Sequence, residues 1–176
     1  MTETIVLGGG CFWCTEGVYE KVRGVTAVES GYSNGHVENP TYEQVCTGDT
    51  GHAEVVRVTF DPAIISAREV LEIFFVIHDP TTLNRQGNDV GTQYRSGIYY
   101  ESPEQEQLAR DIIAEMAASG VYSRPIVTEV EPLRSYTKAE AYHQHYFANH
   151  PNAGYCTFVV APKVEKFKKT FADRVK

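Results

Sequence analysis

Two cysteines near the start of the chain have the residue type and spacing of a redox or metal-binding pair. Cys11 and Cys14 form a Cys-x-x-Cys motif directly after three glycines, residues 8–10. A short apolar run at residues 5–7 precedes the glycines and helical spacing over residues 11–22 follows them, which predicts a strand-to-helix turn at Cys11. Because a helix N-terminus favours an anion, we expect this position to lower the pKa of Cys11 and to favour its reactive thiolate.

Other uses of this pair stay open on the residues alone. Cys11 could be an inert, buried cysteine that packs as a small apolar residue. A thioredoxin-like oxidoreductase also carries Cys-x-x-Cys at a helix start, although its intervening residues are usually small or proline, whereas here they are Phe12 and Trp13. A zinc site needs two further ligands, and the other cysteines, Cys46 and Cys156, are isolated. The two bulky aromatic residues favour a pocket for a small apolar group.

A carboxyl group is predicted on the inner face of a strand. Residues 52–60 alternate in polarity, and Glu54 shares one face with Val56, Val58 and Phe60. Burial raises the pKa of a carboxyl group, and a carboxyl that stays neutral near neutral pH can act as a general acid. A register shift of one residue would instead place Glu54 in solvent, and both alternatives stay open at this point.

The elements that must position these residues follow from hydrophobic periodicity and capping signals. Strands are predicted at residues 5–7, 25–33, 52–60, 94–100 and 126–130. Helices beyond the one at Cys11 are predicted to start at Ser66, Ser102 and Thr137, each with Glu or Gln three residues later. The helix from Thr137 is expected to end at Asn149, and a C-terminal helix places Val164, Phe167 and Phe171 on one face.

The order of these elements predicts the fold class. The first six run strand, helix, strand, strand, helix, strand, which is the split βαβ, or ferredoxin-like, pattern. We therefore predict an α+β fold with a ferredoxin-like core, additional helices and a C-terminal helix. A chain of 176 residues without a linker-like segment is expected to form a single domain over residues 1–176.

Composition and charge exclude several classes of protein. With 42% hydrophobic and 22% charged residues the chain has a globular rather than a disordered composition. A formal net charge of -7 argues against a general nucleic-acid binder. The chain lacks a long apolar run and a signal-like start, so we expect no membrane span and a cytoplasmic location. The four cysteines are then expected to serve catalysis or metal binding rather than a disulfide framework.

Four segments together resemble the methionine sulfoxide reductase A family. They are GCFWCTE, SGYSNGHVENPTYEQVCTGDTGHAEVVRVTFDP, YRSGIYY and EAYHQHY, in collinear order, and GCFW followed by GHAE is highly specific. The resemblance implies that Cys11 is the nucleophile and that Phe12 and Trp13 hold the S-methyl group of the substrate. It also implies that Glu54 protonates the sulfoxide oxygen.

Further residues take their roles from the same resemblance. Tyr42 and Tyr94 are implied to hydrogen-bond the sulfoxide oxygen, Asp89 to help bind the backbone side of the substrate, and Tyr155 to close the pocket. The implied reaction is the reduction of methionine S-sulfoxide, free or in proteins, through a sulfenic acid and a disulfide that thioredoxin reduces. No metal and no cofactor are implied, and a monomer is expected.

The second thiol of this reaction is left open by the sequence. Many relatives have glycine in place of Cys14 and a glycine-rich tail with two cysteines, whereas here Cys156 matches the first tail cysteine and no further one follows. Cys14 is near Cys11 in sequence but sits in a predicted helix, and Cys156 after Gly154 is expected in a flexible segment. Cys46 is expected to be structural, and the histidines of EAYHQHY are expected to form hydrogen bonds rather than bind a metal.

Overall fold

A six-stranded sheet organises the protein. In the computed structural model, which describes residues 2–150 and 152–176, the strands in chain order are β1 (Glu3–Gly9), β2 (Val25–Ser33), β3 (Ala53–Phe60), β4 (Arg85–Gln86), β5 (Asp89–Val90), β6 (Ser96–Tyr100), β7 (Glu129–Pro132) and β8 (Tyr136–Lys138). The order across the sheet is β7-β6-β1-β3-β2-β8, and β4 and β5 form a separate hairpin. The β6–β7 pair is parallel, and the other described pairs are antiparallel.

The middle of this sheet confirms the predicted ferredoxin-like core. Its four central strands lie in the order β6-β1-β3-β2, which places the fourth, first, third and second strands of the split βαβ pattern side by side. The chain after this unit adds β7 to one edge and β8 to the other. The strand predicted at residues 94–100 begins at Ser96, because Thr92–Tyr94 forms a 3₁₀ turn before it.

The helices are α1 (Phe12–Tyr19), α2 (Tyr42–Cys46), α3 (Ala67–Ile77), α4 (Pro103–Ser119), α5 (Tyr146–Asn149) and α6 (Ala161–Thr170). Two of them, α3 and α4, begin after the predicted capping residues Ser66 and Ser102. Ser66 caps α3, since its hydroxyl accepts a hydrogen bond from the Glu69 N–H while the Glu69 carboxylate accepts one from the Ser66 N–H. Gly120 ends α4 in a left-handed conformation with φ 70°.

The prediction of one continuous helix from Thr137 to Asn149 is wrong. Residues Tyr136–Lys138 instead form β8 against β2, and His145, with φ 56°, separates a 3₁₀ turn at Ala141–His143 from α5. Glu140 does not close a capping box. Its carboxylate accepts hydrogen bonds from the Tyr32 hydroxyl and the Tyr42 N–H, both at 2.8 Å. These long-range contacts outweigh the local capping signal.

The main core lies between the sheet and the helices that cover it. β1 contributes Ile5 and Leu7, β3 contributes Val56 and Val58, and α3 contributes Phe74, all with no exposed surface. Burying these side chains fixes the register of the central strands and so holds the ends of β1 and β3 together. Among the described residues, none of the helices combines the length and the apolar character needed to cross a bilayer.

Candidate active site

Cys11 lies at the turn between β1 and α1, as the glycine-rich sequence predicts. Gly10 has φ 96°, a conformation that suits glycine, and a Cβ atom there would lie 2.7 Å from Cγ of Gln86. Cys11 is the N-cap residue of α1, and the Cys14 N–H donates to the Cys11 carbonyl at 3.1 Å. The turn therefore places both thiols of the Cys-x-x-Cys motif at the start of one helix.

Glu54 faces the interior beside this turn, which confirms the inward register. It lies opposite Tyr32 in the β2–β3 pair and is 1% exposed. Its Oε1 accepts a hydrogen bond from the Phe12 N–H at 3.2 Å. Its Oε2 is buried and has no hydrogen-bond partner among the described residues. The carboxyl group is thus tied to the residue that follows Cys11, with one oxygen left for a further partner.

Burial controls the protonation of both groups. It raises the pKa of Glu54 to about 8, with the Phe12 N–H acting in the opposite direction, so that Glu54 is largely neutral at pH 7. Burial also raises the pKa of the Cys11 thiol well above its ordinary value, and the nearby Glu54 and Cys14 add to the rise. The expectation that the helix N-terminus lowers the pKa of Cys11 is therefore wrong for this structure, because desolvation outweighs the helix dipole.

The aromatic rings that follow Cys11 in the chain pack on further aromatic rings, and we call this set the aromatic wall. The Trp13 ring stacks on Tyr146, with centroids 3.8 Å apart and planes 7° apart, and its indole N–H donates to Nδ1 of His143 at 3.0 Å. Phe12 packs against Tyr32 with centroids 5.6 Å apart. Tyr146 is held in turn, because its backbone N–H donates to the buried Glu16 carboxylate at 3.1 Å. Phe12 and Trp13 thus have fixed orientations in the folded chain.

His143 and Tyr146 are site residues that sequence reasoning did not assign. Both lie in the EAYHQHY segment, which supported the family resemblance but gave neither residue a role at the active site. His143 is fully buried and contacts Phe12, Trp13 and Tyr42, with ring centroids 5.1, 5.7 and 4.3 Å away. Its accepting Nδ1 shows that the neutral ring carries its proton on Nε2.

The structure places Tyr42 and Tyr94 close to Glu54. Tyr42, the first residue of α2, stacks on Phe12 with centroids 6.5 Å apart. Burial and, after it, the negative charge of an ionised Glu54 raise the pKa of both tyrosine hydroxyls. Cys11 adds to the rise at Tyr94. Both hydroxyls therefore remain protonated and able to donate hydrogen bonds.

Tyr155 covers the thiols from the other side. Its hydroxyl donates to Oδ2 of Asp89 at 2.5 Å and lies 3.7 Å from Sγ of Cys14. Tyr155 also lies close enough to Cys11 to oppose the rise in the pKa of that thiol, although burial dominates there. Its ring meets Trp13 edge-on, with centroids 5.5 Å apart. Tyr155 and Asp89 thus form a closed contact above Cys11 and Cys14.

The remaining cysteines differ in exposure. Cys156 opens a π-helical turn, Cys156–Val160, that leads into α6, and it is fully buried rather than in the flexible segment expected from Gly154. Burial raises its pKa. Cys46 is exposed on α2, and all four thiols are free. Within the described residues, the one grouping with the spacing of metal ligands is Glu16, Glu20 and His145, which contains no cysteine.

Comparison with known proteins places the chain in a well-populated group. A family model for peptide methionine sulfoxide reductase matches residues 3–175. The peptide methionine sulfoxide reductase MsrA of Ralstonia nicotianae is 58% identical over 177 residues, which cover 98% of this chain and 93% of that protein. Reduced Mxr1 from Saccharomyces cerevisiae superposes with a TM-score of 0.81 at 37% identity, covering 88% of this chain and 89% of that one. Mxr1 in complex with Trx2 matches with a TM-score of 0.57 at 27% identity, covering 82% and 84%.

Proposed function

The chain belongs to the peptide methionine sulfoxide reductase family, and we propose that it reduces the S epimer of methionine sulfoxide, free or in proteins, with Cys11 as the nucleophile. The observation that carries the proposal is a buried site that holds a thiol and a neutral carboxyl group next to each other. Cys11 and Glu54 meet through the Phe12 N–H, and aromatic rings surround them. A sulfoxide needs a sulfur nucleophile at its sulfur and a proton donor at its oxygen, and this site offers both.

In the first step the substrate's oxygen atom is transferred to Cys11, and Glu54 gives up one proton and regains one. The substrate's S-methyl group packs between Phe12 and Trp13, and its oxygen points to Oε2 of Glu54, the buried oxygen without a partner. Cys11 attacks the sulfur and loses its proton while Glu54 protonates the oxygen, which Tyr42 and Tyr94 also hydrogen-bond. Oxygen transfer to Cys11 leaves a sulfenic acid and releases methionine, and the thiol proton restores Glu54. No external proton is consumed in this step.

A second thiol then condenses with the sulfenic acid, releasing water and forming a disulfide. Support for Cys14 is that its charge raises the pKa of Cys11, so the two thiols lie close to each other, and that its Sγ lies 3.7 Å from the Tyr155 hydroxyl beside them. Support for Cys156 is that it raises the pKa of Cys14, so the two lie close to each other. We propose that Cys14 reacts first and that Cys156 can take over the disulfide by thiol exchange.

Thioredoxin is proposed as the reductant of the final disulfide. The support is the solved complex of Mxr1 with Trx2, a protein to which this chain is similar over 82% of its length. Two electrons from the external dithiol return the cysteines to thiols, which closes the cycle. The Asp89–Tyr155 contact must open for the substrate to enter, because it covers both thiols in this structure.

The proposal is tested on separated sulfoxide epimers with dithiothreitol as the reductant. The unaltered protein should reduce the S epimer, and Cys11→Ser should abolish the reaction because serine cannot form a sulfenic acid. Cys46→Ser is the matched control, since that thiol is exposed on α2 and serine keeps a hydroxyl in place of the thiol that hydrogen-bonds Tyr42. Turnover by Cys11→Ser, or reduction of insulin disulfides without any sulfoxide turnover, would overturn the proposal.

The resolving thiol is identified by mapping disulfides after one turnover without reductant. Cys156→Ser should leave a Cys11–Cys14 disulfide, and Cys14→Ser should accumulate sulfenic acid at Cys11 or form a Cys11–Cys156 disulfide more slowly. An unchanged rate and pattern in Cys14→Ser would show that Cys156 reacts directly. In that case the proposed order of the two thiols is wrong.

A further inference from the structure

A groove of about 920 Å³ opens beside the candidate active site, and the proposed chemistry does not use it. Its inner end is lined by Asp89 and Tyr155, the two residues whose contact covers Cys11 and Cys14. From there it runs between the end of α3 and the start of α6. The groove is therefore continuous with the closed entrance to the thiols.

The groove exposes large apolar side chains to water. Phe158 is 81% exposed and Val121 is 69% exposed, and both line it, together with the partly buried Met116 and Val159. Exposed apolar residues are unremarkable singly, but a cluster in one concave surface is typical of a site that binds another molecule. The occupant is expected to bring apolar groups of its own.

The charges that line the groove are positive on balance, since three cationic side chains, Arg124, Lys163 and Lys166, stand against two carboxylates, Asp79 and Asp89. Lys163 and Lys166 line it from α6, and neither is in an ion pair with a described residue. Arg124 is paired with Asp79 at 3.6 Å, and Asp89 accepts the Tyr155 hydroxyl. His78 adds no charge, since burial lowers its pKa to about 4. On a chain with a formal net charge of -7, this local excess of positive charge favours an acidic partner.

We propose that this groove binds the polypeptide that carries the oxidised methionine, through an extended segment with apolar and acidic residues next to the methionine sulfoxide. The inference rests on the proposed function and specifies its substrate class. With the sulfoxide side chain between Phe12 and Trp13, the flanking backbone passes Asp89 and continues into the groove. Apolar flanking side chains would pack on Phe158 and Val121, and acidic ones would pair with Lys163 and Lys166.

The reduced state of the cysteines beside the groove favours the substrate over the reductant as its occupant. One wall is made of Tyr155, Phe158 and Val159, which bracket Cys156, and the Tyr155 hydroxyl contacts Cys14. All four thiols are free in this structure, so this wall has the form it takes in the reduced protein. The groove as it stands thus belongs to the reduced protein, which accepts the oxidised substrate, whereas a reductant acts on the disulfide form.

Three substrates separate this proposal from the proposed function. They are N-acetyl-methionine sulfoxide, a peptide with leucine and glutamate around the sulfoxide, and the same peptide with lysine in place of glutamate, all assayed with dithiothreitol. The small sulfoxide tests the reaction itself. The ratio of kcat/KM for each peptide to kcat/KM for the small sulfoxide tests the groove.

Reversing one charge in the groove should change this ratio of kcat/KM values in opposite directions for the two peptides. Lys166→Glu should lower this ratio for the glutamate peptide by about fivefold at low salt and raise it for the lysine peptide. Phe158→Ser should lower it for both peptides by roughly fivefold, because apolar contact area is lost. Lys169→Glu is the matched control, since it changes the charge of the same helix by the same amount outside the groove.

Binding measured without turnover keeps the test independent of the chemistry. A fluorescently labelled glutamate peptide should bind Cys11→Ser protein more tightly than the double variant with Lys166→Glu. Equal ratios and equal affinities in Lys166→Glu and Lys169→Glu would overturn the inference. So would an effect of Lys166→Glu that appears only when thioredoxin replaces dithiothreitol as the reductant, which would assign the groove to the reductant. Inactivity of the unaltered protein on the small sulfoxide would instead overturn the proposed function.

Discussion

At the scale of single residues, the candidate centre depends on two acids that keep their protons. Burial raises the pKa of Cys11 and raises that of Glu54 to about 8. Two negative charges in one desolvated cavity would repel each other strongly, so the neutral pair is the stable resting form. In the proposed reaction each acid loses its proton only when the sulfoxide oxygen can accept one, which couples thiolate formation to substrate binding.

Glu54→Gln should slow sulfoxide reduction by about 10²-fold or more, because glutamine has similar size but cannot donate a proton to the leaving oxygen. The measurement is the single-turnover rate of methionine formation from pH 6 to pH 10. For the unaltered protein this rate should fall above pH 8, as Glu54 loses its proton. In Glu54→Gln the residual rate should not show that fall. An unchanged rate in the variant would exclude Glu54 as the acid.

The raised pKa of Glu54 also predicts a pH dependence of stability. The folded chain binds this proton more tightly than the unfolded chain does, since the pKa is raised from 4.5 to about 8. Its stabilising contribution is therefore complete below pH 4.5 and is lost as the pH rises toward 8. Between pH 5 and pH 9 the Tm of the unaltered protein should fall more than that of Glu54→Gln. Parallel Tm curves for the two proteins would contradict the burial argument.

At the scale of elements, the turn from β1 into α1 determines where Cys11 lies. The left-handed Gly10 lets the chain pass close to Gln86, whose side-chain carbonyl accepts the Asp79 N–H at 3.0 Å. The turn is thus packed against the loop that follows α3. A side chain at position 10 meets both a strained backbone angle and a steric contact.

Gly10→Ala should lower the free energy of unfolding by about 1–3 kcal/mol more than Gly48→Ala does. Both glycines have positive φ, 96° and 80°, but a Cβ atom at Gly48 meets nothing within 4 Å, so the control isolates the steric contact with Gln86. Urea unfolding of the two variants measures the difference. Gly10→Ala should also lose most of its reductase activity, since Cys11 follows directly. Equal destabilisation would contradict the steric argument.

At the scale of the whole molecule, the last third of the chain completes the site that the ferredoxin-like core begins. β7 and β8 extend the sheet at its two edges, and the segment after β8 supplies His143, Tyr146 and Tyr155. Glu140 ties this segment to the core through Tyr32 and Tyr42. The cavity around Cys11 therefore forms only when both parts of the chain are folded.

Glu140→Ala should lower the free energy of unfolding by about 1–3 kcal/mol, because it leaves two hydrogen-bond donors without their acceptor. It should also raise the KM for methionine sulfoxide, since the Tyr42 N–H loses the group that holds α2. Glu165→Ala is the control, because that side chain is 62% exposed and is paired with Lys168 at 3.7 Å on the surface. Thermal unfolding and steady-state kinetics measure both effects, and matching results for the two variants would contradict the anchoring role of Glu140.

Local patterns were enough to predict the parts of this protein that depend on neighbouring residues. The strand-to-helix turn at Cys11 and the cap at Ser66 follow from glycine placement and capping, which act within a few residues. Alternation left two registers open for Glu54, and the structure has the inward one. The ferredoxin-like order follows from the sequence of such elements. The family resemblance added roles for Phe12 and Trp13 that no periodicity could supply.

Long-range packing decided the rest. The raised pKa of Cys11 comes from burial by distant segments, and the Trp13–His143 bond joins residues 130 positions apart. The segment after Thr137 carries a helix signal but forms β8 and a broken helix, because Glu140 gains more from Tyr32 and Tyr42. Desolvation and contacts between remote residues exist only once the chain is compact, so neither can be read from neighbouring residues alone.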